Sequence, residues 1–289
     1  MAARTVAGSA PIRGAKSSRS QVRVRRITKD DLNRSLAEGW SDFMEMRGDI
    51  LFLAILYPLI GIAAAVATVG GPLLPLFLPL AAGIGLLGPV AAVGFYEMAR
   101  RREMGLHSNW EHFLDVRKRP SFDEIAAVSG LLLAIFGIWL LAAGILYVTL
   151  WGVWNPPWLE SYIWSDPHSL GEFVRRLFTT GEGWALIMIG GAVGAVFATL
   201  VLAVSVVSMP MLVDCDISAS QAVKTSMAAT RENFATMLRW GIIVAALLIA
   251  GSIPLFIGLA VVLPWLGYST WHLYTRLVDR TAVPARRRT

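Results

Sequence analysis

Charged residues are scarce in this sequence, and four long stretches contain none. Only 16% of the 289 residues are Asp, Glu, Lys or Arg, whereas 55% are hydrophobic. No charged side chain occurs in residues 50–96, 125–159, 183–213 or 240–275, and each stretch is long enough to cross the hydrocarbon core of a bilayer at least once. A soluble domain of this size would show amphipathic alternation instead. The sequence therefore predicts an all-α, polytopic membrane protein.

Cysteine and histidine are also rare, and the common catalytic motifs are missing. Cys215 is the single cysteine, which excludes an intramolecular disulfide and a zinc site built from cysteines. His272 alone among the four histidines lies near an apolar stretch, whereas haem proteins need axial ligands on facing helices. No phosphate-binding, zinc-protease or serine-hydrolase motif is present. We therefore predict no cofactor, no metal site and no catalytic residue, so the chain is not expected to be an enzyme.

One stretch fixes the orientation of the chain. The apolar run breaks at Gly88-Pro89, continues for about two helical turns, and ends in Arg100, Arg101 and Arg102. An apolar helix that closes on consecutive arginines is typical of an exit on the cytoplasmic side. With six spans and a cytoplasmic amino end, 24 of the 26 Lys and Arg residues lie inside. The sequence therefore predicts that both termini are cytoplasmic.

The six predicted spans form three hairpins, each preceded by a cytoplasmic amphipathic helix. Their approximate bounds are 50–69, 73–96, 125–151, 184–209, a short fifth span after 240, and a sixth that ends at 271–274. Gly251-Ser252-Ile253-Pro254 divides the last two. Five spans would put Arg286, Arg287 and Arg288 outside, against the positive-inside rule, so we predict six. A single broken re-entrant hairpin in place of the last two passes is the alternative.

The domain organisation follows from the same pattern. Residues 1–27 carry seven basic residues and no acid, which predicts a disordered basic arm. Residues 28–280 form the six-helix transmembrane domain, with an aromatic-rich outer loop at 152–183, and residues 281–289 are a basic tail. Capping patterns at Thr28 and Ser218 predict the starts of two amphipathic helices, of which the second runs to about Leu238.

An internal repeat supports three hairpins. Pro79, Gly83 and Pro89 correspond to Pro254, Gly258 and Pro264 at a constant shift of 175 residues. The repeating unit is an amphipathic helix followed by a transmembrane hairpin. Chance similarity between apolar segments rich in proline and glycine is the competing interpretation. Parallel repeats occur in transporters and also in passive scaffolds.

Two sets of residues are candidates for function. The first could dock headgroups or a partner protein, although helix-end anchoring is the simpler explanation; it comprises Trp40, Phe43, Tyr96, Glu97, Arg100, Arg101, Trp271 and His272. The second could act as helix breaks or hinges, or could only kink helices for close packing; it comprises Gly88, Pro89, Pro210 and Pro264.

Four motifs together resemble a known family. They are Trp40-Ser41-Asp42-Phe43, the exit from Gly88-Pro89 to Glu103, the turn from Pro210 to Asp214, and the segment 263–274. Over about residues 25–280 the chain resembles an uncharacterised family of bacterial integral membrane proteins, a domain of unknown function. Some members of that family carry a cytochrome c oxidase subunit label. The resemblance implies a helical membrane protein and an accessory role beside such a complex, because the histidines of this chain cannot supply the ligands for haem and copper.

These observations predict a non-catalytic protein of the bacterial inner membrane. It would act as a scaffold or as an accessory or assembly subunit of a membrane complex. Its expected partners are a bilayer with anionic headgroups and a second membrane protein or another copy of itself, with no role for nucleic acid. The alternative is a permease or channel for a small solute, with a path lined by the breaks at 79–89 and 254–264.

Overall fold

The described part of the chain is built from helices. The computed structural model describes residues 22–54, 59, 62, 88–150, 170–254 and 256–282. Within these ranges the α-helices are α1 Lys29–Ala54, α2 Gly88–Ala91, α3 Val93–Glu103, α4 Phe122–Leu150, α5 Leu170–Thr179, α6 Gly181–Ser205, α7 Ser208–Asp214, α8 Ala219–Glu232, α9 Phe234–Ser252 and α10 Leu259–Leu277. Two 3₁₀ helices are η1 Trp110–Lys118 and η2 Arg280–Ala282.

Three segments of the described chain are long and apolar enough to cross a membrane. They are Phe122–Leu150, Gly181–Asp214 and Phe234–Ser252. The predicted all-α class is thereby confirmed for the described residues, and these three segments are candidate membrane spans by their length and composition. Most of the predicted first and second spans, the part of the predicted outer loop (152–183) before residue 170, and residues 1–21 and 283–289 lie outside the described residues. Six spans therefore remain a prediction.

Helices from distant parts of the chain pack together within the described residues. The three helices α3, α7 and α10 pack on one another in all three pairs. Each also supports a helix from a different part of the chain: η1 lies on α3, α8 lies on α7, and α1 lies on α10. The first described α-helix thus packs against the last described α-helix. We call this packing cyclic, because it brings the two ends of the described chain together. One hydrophobic core runs through this assembly, which we call the helix-exit body.

The contact between α1 and α10 depends on a glycine. A Cβ atom added to Gly39 would lie 2.5 Å from the backbone N and 2.7 Å from the Cα of Ser269. Such distances are far below van der Waals contact, so only glycine permits this approach. Leu32, Ser35 and Phe43 are buried on the same face of α1. The apolar face that the sequence predicted for this helix therefore packs against α10.

Local signals at the helix starts act as the sequence predicted. Thr28 N donates to Asp31 Oδ2 at 2.7 Å, and the Thr28 hydrogen bonds lower the pKa of Asp31. Ser218 Oγ accepts from Gln221 N at the start of α8. At the start of η1, Asn109 N donates to His112 Nδ1 at 3.3 Å.

The predicted amphipathic helix that ran to about Leu238 is shorter than expected. It ends at Glu232, and α9 begins at Phe234. The side chain of Asn233 accepts from Ile27 N at 2.9 Å and donates to Arg25 O at 3.1 Å. These hydrogen bonds hold the chain at a bend between α8 and α9, which the apolar pattern alone does not indicate.

The predicted disordered arm also needs a correction at its carboxyl end. Val24 forms an antiparallel bridge with Val278, and Arg25 N donates to Leu277 O at 2.7 Å. Arg25 also pairs with Asp279 at 3.0 Å. Residues 22–27 are therefore an ordered extended segment that joins the two ends of the described chain.

Candidate functional site

The predicted docking residues lie mostly inside the helix-exit body. Phe43, Tyr96, Glu97 and Trp271 are buried, with exposed fractions of 5%, 2%, 0% and 1%. Trp40 is the exception, because 40% of it is exposed. Its ring lies 5.1 Å from that of Trp265. The docking role stays a prediction, but only Trp40 of these five offers a large free surface.

Glu97 is the centre of a cluster of guanidinium groups. Its Oε2 lies 3.1 Å from Arg100 Nε, and its Oε1 lies 2.9 Å from Arg101 Nε. Arg119 also binds Oε1 and donates to Val213 O at 3.3 Å. The side chains of Arg100 and Arg119 are each 13% exposed. The carboxylate therefore ties α3 to the segment before α4, and through Arg119 to α7.

Two of these arginines are close to Glu97 along the chain, and the third is not. A spacing of three and four residues puts Arg100 and Arg101 on the same helix face as Glu97, so the sequence alone indicates these two pairs. Arg119 is 22 residues further along and belongs to no local pattern with Glu97. Asp115 extends the cluster, since it accepts from Arg101 at 2.9 Å and from Lys118 at 2.9 Å. The hydrogen bond from Lys118 is the main cause that lowers the pKa of Asp115.

A second cluster surrounds His272. Its Nε2 lies 2.8 Å from Asp42 Oδ2, and its Nδ1 lies 3.2 Å from Glu38 Oε2. Arg102 Nε lies 3.0 Å from the other oxygen of Asp42. Arg276 binds Glu38 at 2.6 Å. Ion pairs therefore join α1 to both α3 and α10, and His272 contacts carboxylates of its own chain rather than standing alone at an interface.

A third cluster joins the ends of α3, α7 and α10. Arg280 contacts Glu103 at 3.2 Å and Asp214 at 3.3 Å. Trp271 Nε1 donates to Glu103 Oε2 at 3.0 Å, and Tyr274 donates to Asp214 at 2.9 Å. Charged side chains in the three clusters thus bind one another across helices. Within the described residues, no group of three or more His, Cys, Asp or Glu is placed to hold a metal ion.

Cys215 follows Asp214 and gives a prediction about reactivity. The thiol is buried, with 4% of the residue exposed, and its Sγ lies 3.7 Å from Tyr274 Oη. Burial, aided by the negative charge of Asp214, raises its pKa to about 11. Because the thiolate is the reactive form, we expect alkylation of native protein at pH 7.5 to be at least about tenfold slower than after denaturation. Mass spectrometry of maleimide-treated protein measures this, and equal rates in both states would contradict it.

The predicted hinge residues lie at breaks and inside helices. Gly88 and Pro89 begin α2, which is separated from α3 by one turn residue at Ala92. Pro264 lies inside α10. The predicted fourth span was expected to end at Pro210, but α6 ends at Ser205 and Pro210 lies inside α7. Since proline removes the hydrogen bond to the carbonyl four residues earlier, the break comes at Val206 rather than at the proline itself.

The apolar helices and the paired charges at their ends define this chain as a helical integral membrane protein. Residues 76–214 match the family described as "Predicted integral membrane protein (DUF2189)". This segment, a little under half of the chain, is similar to that family of predicted membrane proteins of unknown function, in agreement with the resemblance noted above. No curated protein and no solved structure matches the chain.

Proposed function

We propose that this chain is a non-catalytic scaffold or accessory subunit of a membrane complex. The proposal rests on one observation: charged side chains in the helix-exit body pair with one another. Glu97, Asp42 and Glu103 each bind arginines from other segments of the chain. Intramembrane enzymes and pumps instead hold ionisable groups ready for protons or substrates. Because the ionisable groups of this chain instead join helices to one another, they support a scaffold role.

The packing between the three exit helices supports a scaffold over a permease. Phe95 and Met98 of α3, Met209 of α7 and Tyr268 of α10 belong to one buried cluster. Tyr268 Oη donates to Met46 Sδ at 3.5 Å, which closes the cluster against α1. A solute path through the centre of the helix-exit body would have to displace these side chains.

The outer surfaces of the apolar helices suit lipid or another membrane protein. At most 22% of the candidate span windows of α4, α6–α7 and α9 is buried inside the chain. Large apolar side chains such as Leu141, Met188 and Ile242 are more than 60% exposed. Hydrocarbon or a partner helix would cover this surface in a membrane.

We further propose that the helix-exit body faces the cytoplasm of a bacterial inner membrane. Contact with anionic headgroups would then fall to exposed basic residues such as Arg34, Arg117 and Arg231. Arg100 and Arg101 are occupied by Glu97, so they are less suited to this contact than the sequence suggested. Basic side chains near such a surface each contribute about 1 kcal/mol of attraction.

Copurification tests the proposed function. The full chain, expressed at natural level with an affinity tag and extracted in mild detergent, should bring down at least one membrane protein in stoichiometric amount. A haem absorption band in the same fraction would identify an oxidase as that complex. Recovery of a lone monomer, together with solute uptake in proteoliposomes that lack other proteins, would overturn the scaffold role and favour the permease.

A further inference from the structure

The connection between α9 and α10 is apolar throughout. Residues 251–259 contain no charged side chain, and their one hydroxyl belongs to Ser252, whose Oγ donates to Leu248 O at 2.8 Å. Ile253 is 78% exposed and Ile257 is 61% exposed. Turns that face water are rich in polar residues. This turn instead presents two large apolar side chains to its surroundings.

The connection between α5 and α6 provides a contrast. Its neighbourhood carries Arg175, Arg176 and Glu182, together with Thr179 and Thr180. Thr180 Oγ1 accepts from Gly183 N and caps α6. This is the composition of a turn at a membrane surface, so the apolar turn at 251–259 has a different environment.

The backbone of the apolar turn is largely satisfied from within. The N–H groups of Ile253, Phe256 and Ile257 donate to the carbonyls of Ile249, Ser252 and Pro254 at 3.0–3.1 Å. Leu259 N donates to Phe256 O at 3.0 Å. Backbone at membrane depth must be hydrogen-bonded internally, because no water is available there. A hydrogen-bonded turn with an apolar surface meets both requirements of a hydrocarbon environment.

Two glycines make the turn compact. A Cβ atom on Gly258 would lie 2.7 Å from the Cα of Gly251. The two helices therefore approach backbone to backbone at the turn. Phe256 adopts a positive φ of 64°, which few residues other than glycine accept. The chain thus reverses direction within a few residues.

The apolar part of this hairpin is short. Asn233, at the start of α9, accepts a hydrogen bond from Ile27 N, and Leu277 O, at the end of α10, accepts one from Arg25 N. The start of α9 and the end of α10 therefore lie next to the same short segment of the chain. Among Asp, Glu, Lys, Arg and His, the side chains nearest the turn are Arg239 on α9 and His272 on α10. From these residues to the turn each helix has only about 13 residues, or about 20 Å at 1.5 Å per residue. A hydrocarbon core is about 30 Å thick.

We propose that α9 and α10 form a re-entrant hairpin whose turn lies among the lipid acyl chains. The full length of α9, 19 residues, is sufficient for a crossing. However, its first turns carry Arg239 and lie beside the helix-exit body. The hairpin enters and leaves on the side of the helix-exit body, so the carboxyl end stays on that side. This replaces the two full passes predicted from the sequence. The proposed topology does not depend on whether the protein is a scaffold or a permease.

Cysteine labelling in membranes tests this topology. In a Cys215→Ser background, Ile253→Cys places a thiol on the turn, Thr179→Cys marks the connection between α5 and α6, and Met227→Cys marks exposed α8. Intact spheroplasts and inverted vesicles are treated with a membrane-impermeant maleimide. We expect each control to react from one side of the membrane only. Whichever side is exposed to the reagent, Ile253→Cys should react at least about tenfold more slowly than the control that reacts from that side, because the thiolate forms only in water. Reaction of Ile253→Cys from the same side as Thr179→Cys, at a similar rate, would overturn the proposal.

A nitroxide attached at Ile253→Cys distinguishes lipid from protein packing. In lipid, collisions with oxygen should exceed collisions with a water-soluble nickel chelate, whereas the same probe at Thr179→Cys should show the reverse. Low collision rates with both reagents at position 253 would mean that protein covers the turn, and would overturn its assignment to the acyl chains.

Discussion

Replacement of Glu97 by Gln should destabilise this protein more than any other single change of charge in the helix-exit body. The substitution keeps the size of the side chain but removes the one carboxylate shared by Arg100, Arg101 and Arg119. Removal of one partner from a buried ion pair costs about 3–5 kcal/mol, because the remaining charges are left uncompensated. The arginines retain partial exposure, so we expect a loss of about 3 kcal/mol.

Thermal unfolding in detergent measures the effect. A loss of this size in a chain of this length lowers the unfolding midpoint by roughly 6–12 °C. Glu45→Gln is the matched control, because Glu45 also pairs with an arginine but its side chain is 59% exposed. We expect this control to change the free energy of unfolding by no more than about 1 kcal/mol. Similar midpoints for the two variants would show that the cluster around Glu97 does not stabilise the fold.

Replacement of Gly39 by Ala should separate α1 from α10. The added methyl group has no space, since Ser269 backbone atoms lie within 2.7 Å of its position. Forced overpacking costs about 1–3 kcal/mol, and the backbone on the other side of the contact cannot rotate away as a side chain could. The loss should exceed the gain of about 1 kcal/mol that alanine brings to a helix.

A second glycine provides the control for this prediction. Gly144 lies in α4, and a Cβ atom there meets nothing within 4 Å. Gly144→Ala should therefore leave the unfolding midpoint unchanged or raise it. Trypsin cleavage after Arg25 or Arg26 reports the separation, because residues 22–27 are held between the carboxyl end of α10 and Asn233. A Gly39→Ala variant that resists trypsin as well as Gly144→Ala does would contradict the prediction.

Local patterns in the sequence predicted local structure well. The capping signals at Thr28 and Ser218, the start of α4, and the break after Gly251 all appear in the structure. These features depend on residues that are close along the chain, so their chemistry can be recognised without a fold. A glycine in α6 also has a packing role, since a Cβ on Gly194 would lie 3.2 Å from the Trp139 ring.

Long-range pairing could not be predicted from the same patterns. Arg102 was interpreted as part of a positive flank, but it binds Asp42 of α1. His272 was interpreted as an interfacial anchor, and it lies between Glu38 and Asp42, some 230 residues earlier. The positive-inside rule counts basic residues and ignores the acids that pair with them. It therefore indicates orientation but not which arginines remain free for headgroups.

The cyclic packing has a consequence for biosynthesis. Among the described α-helices the ribosome makes α1 first, yet the surface that covers its buried face belongs to α10, the last of them to emerge. Until then Asp42 and Gly39 have no partner on that helix, and the nascent chain must tolerate or shield them. A message truncated before codon 259 would yield a product that keeps this face open permanently. Quality-control proteases could recognise such unfinished chains by that feature alone.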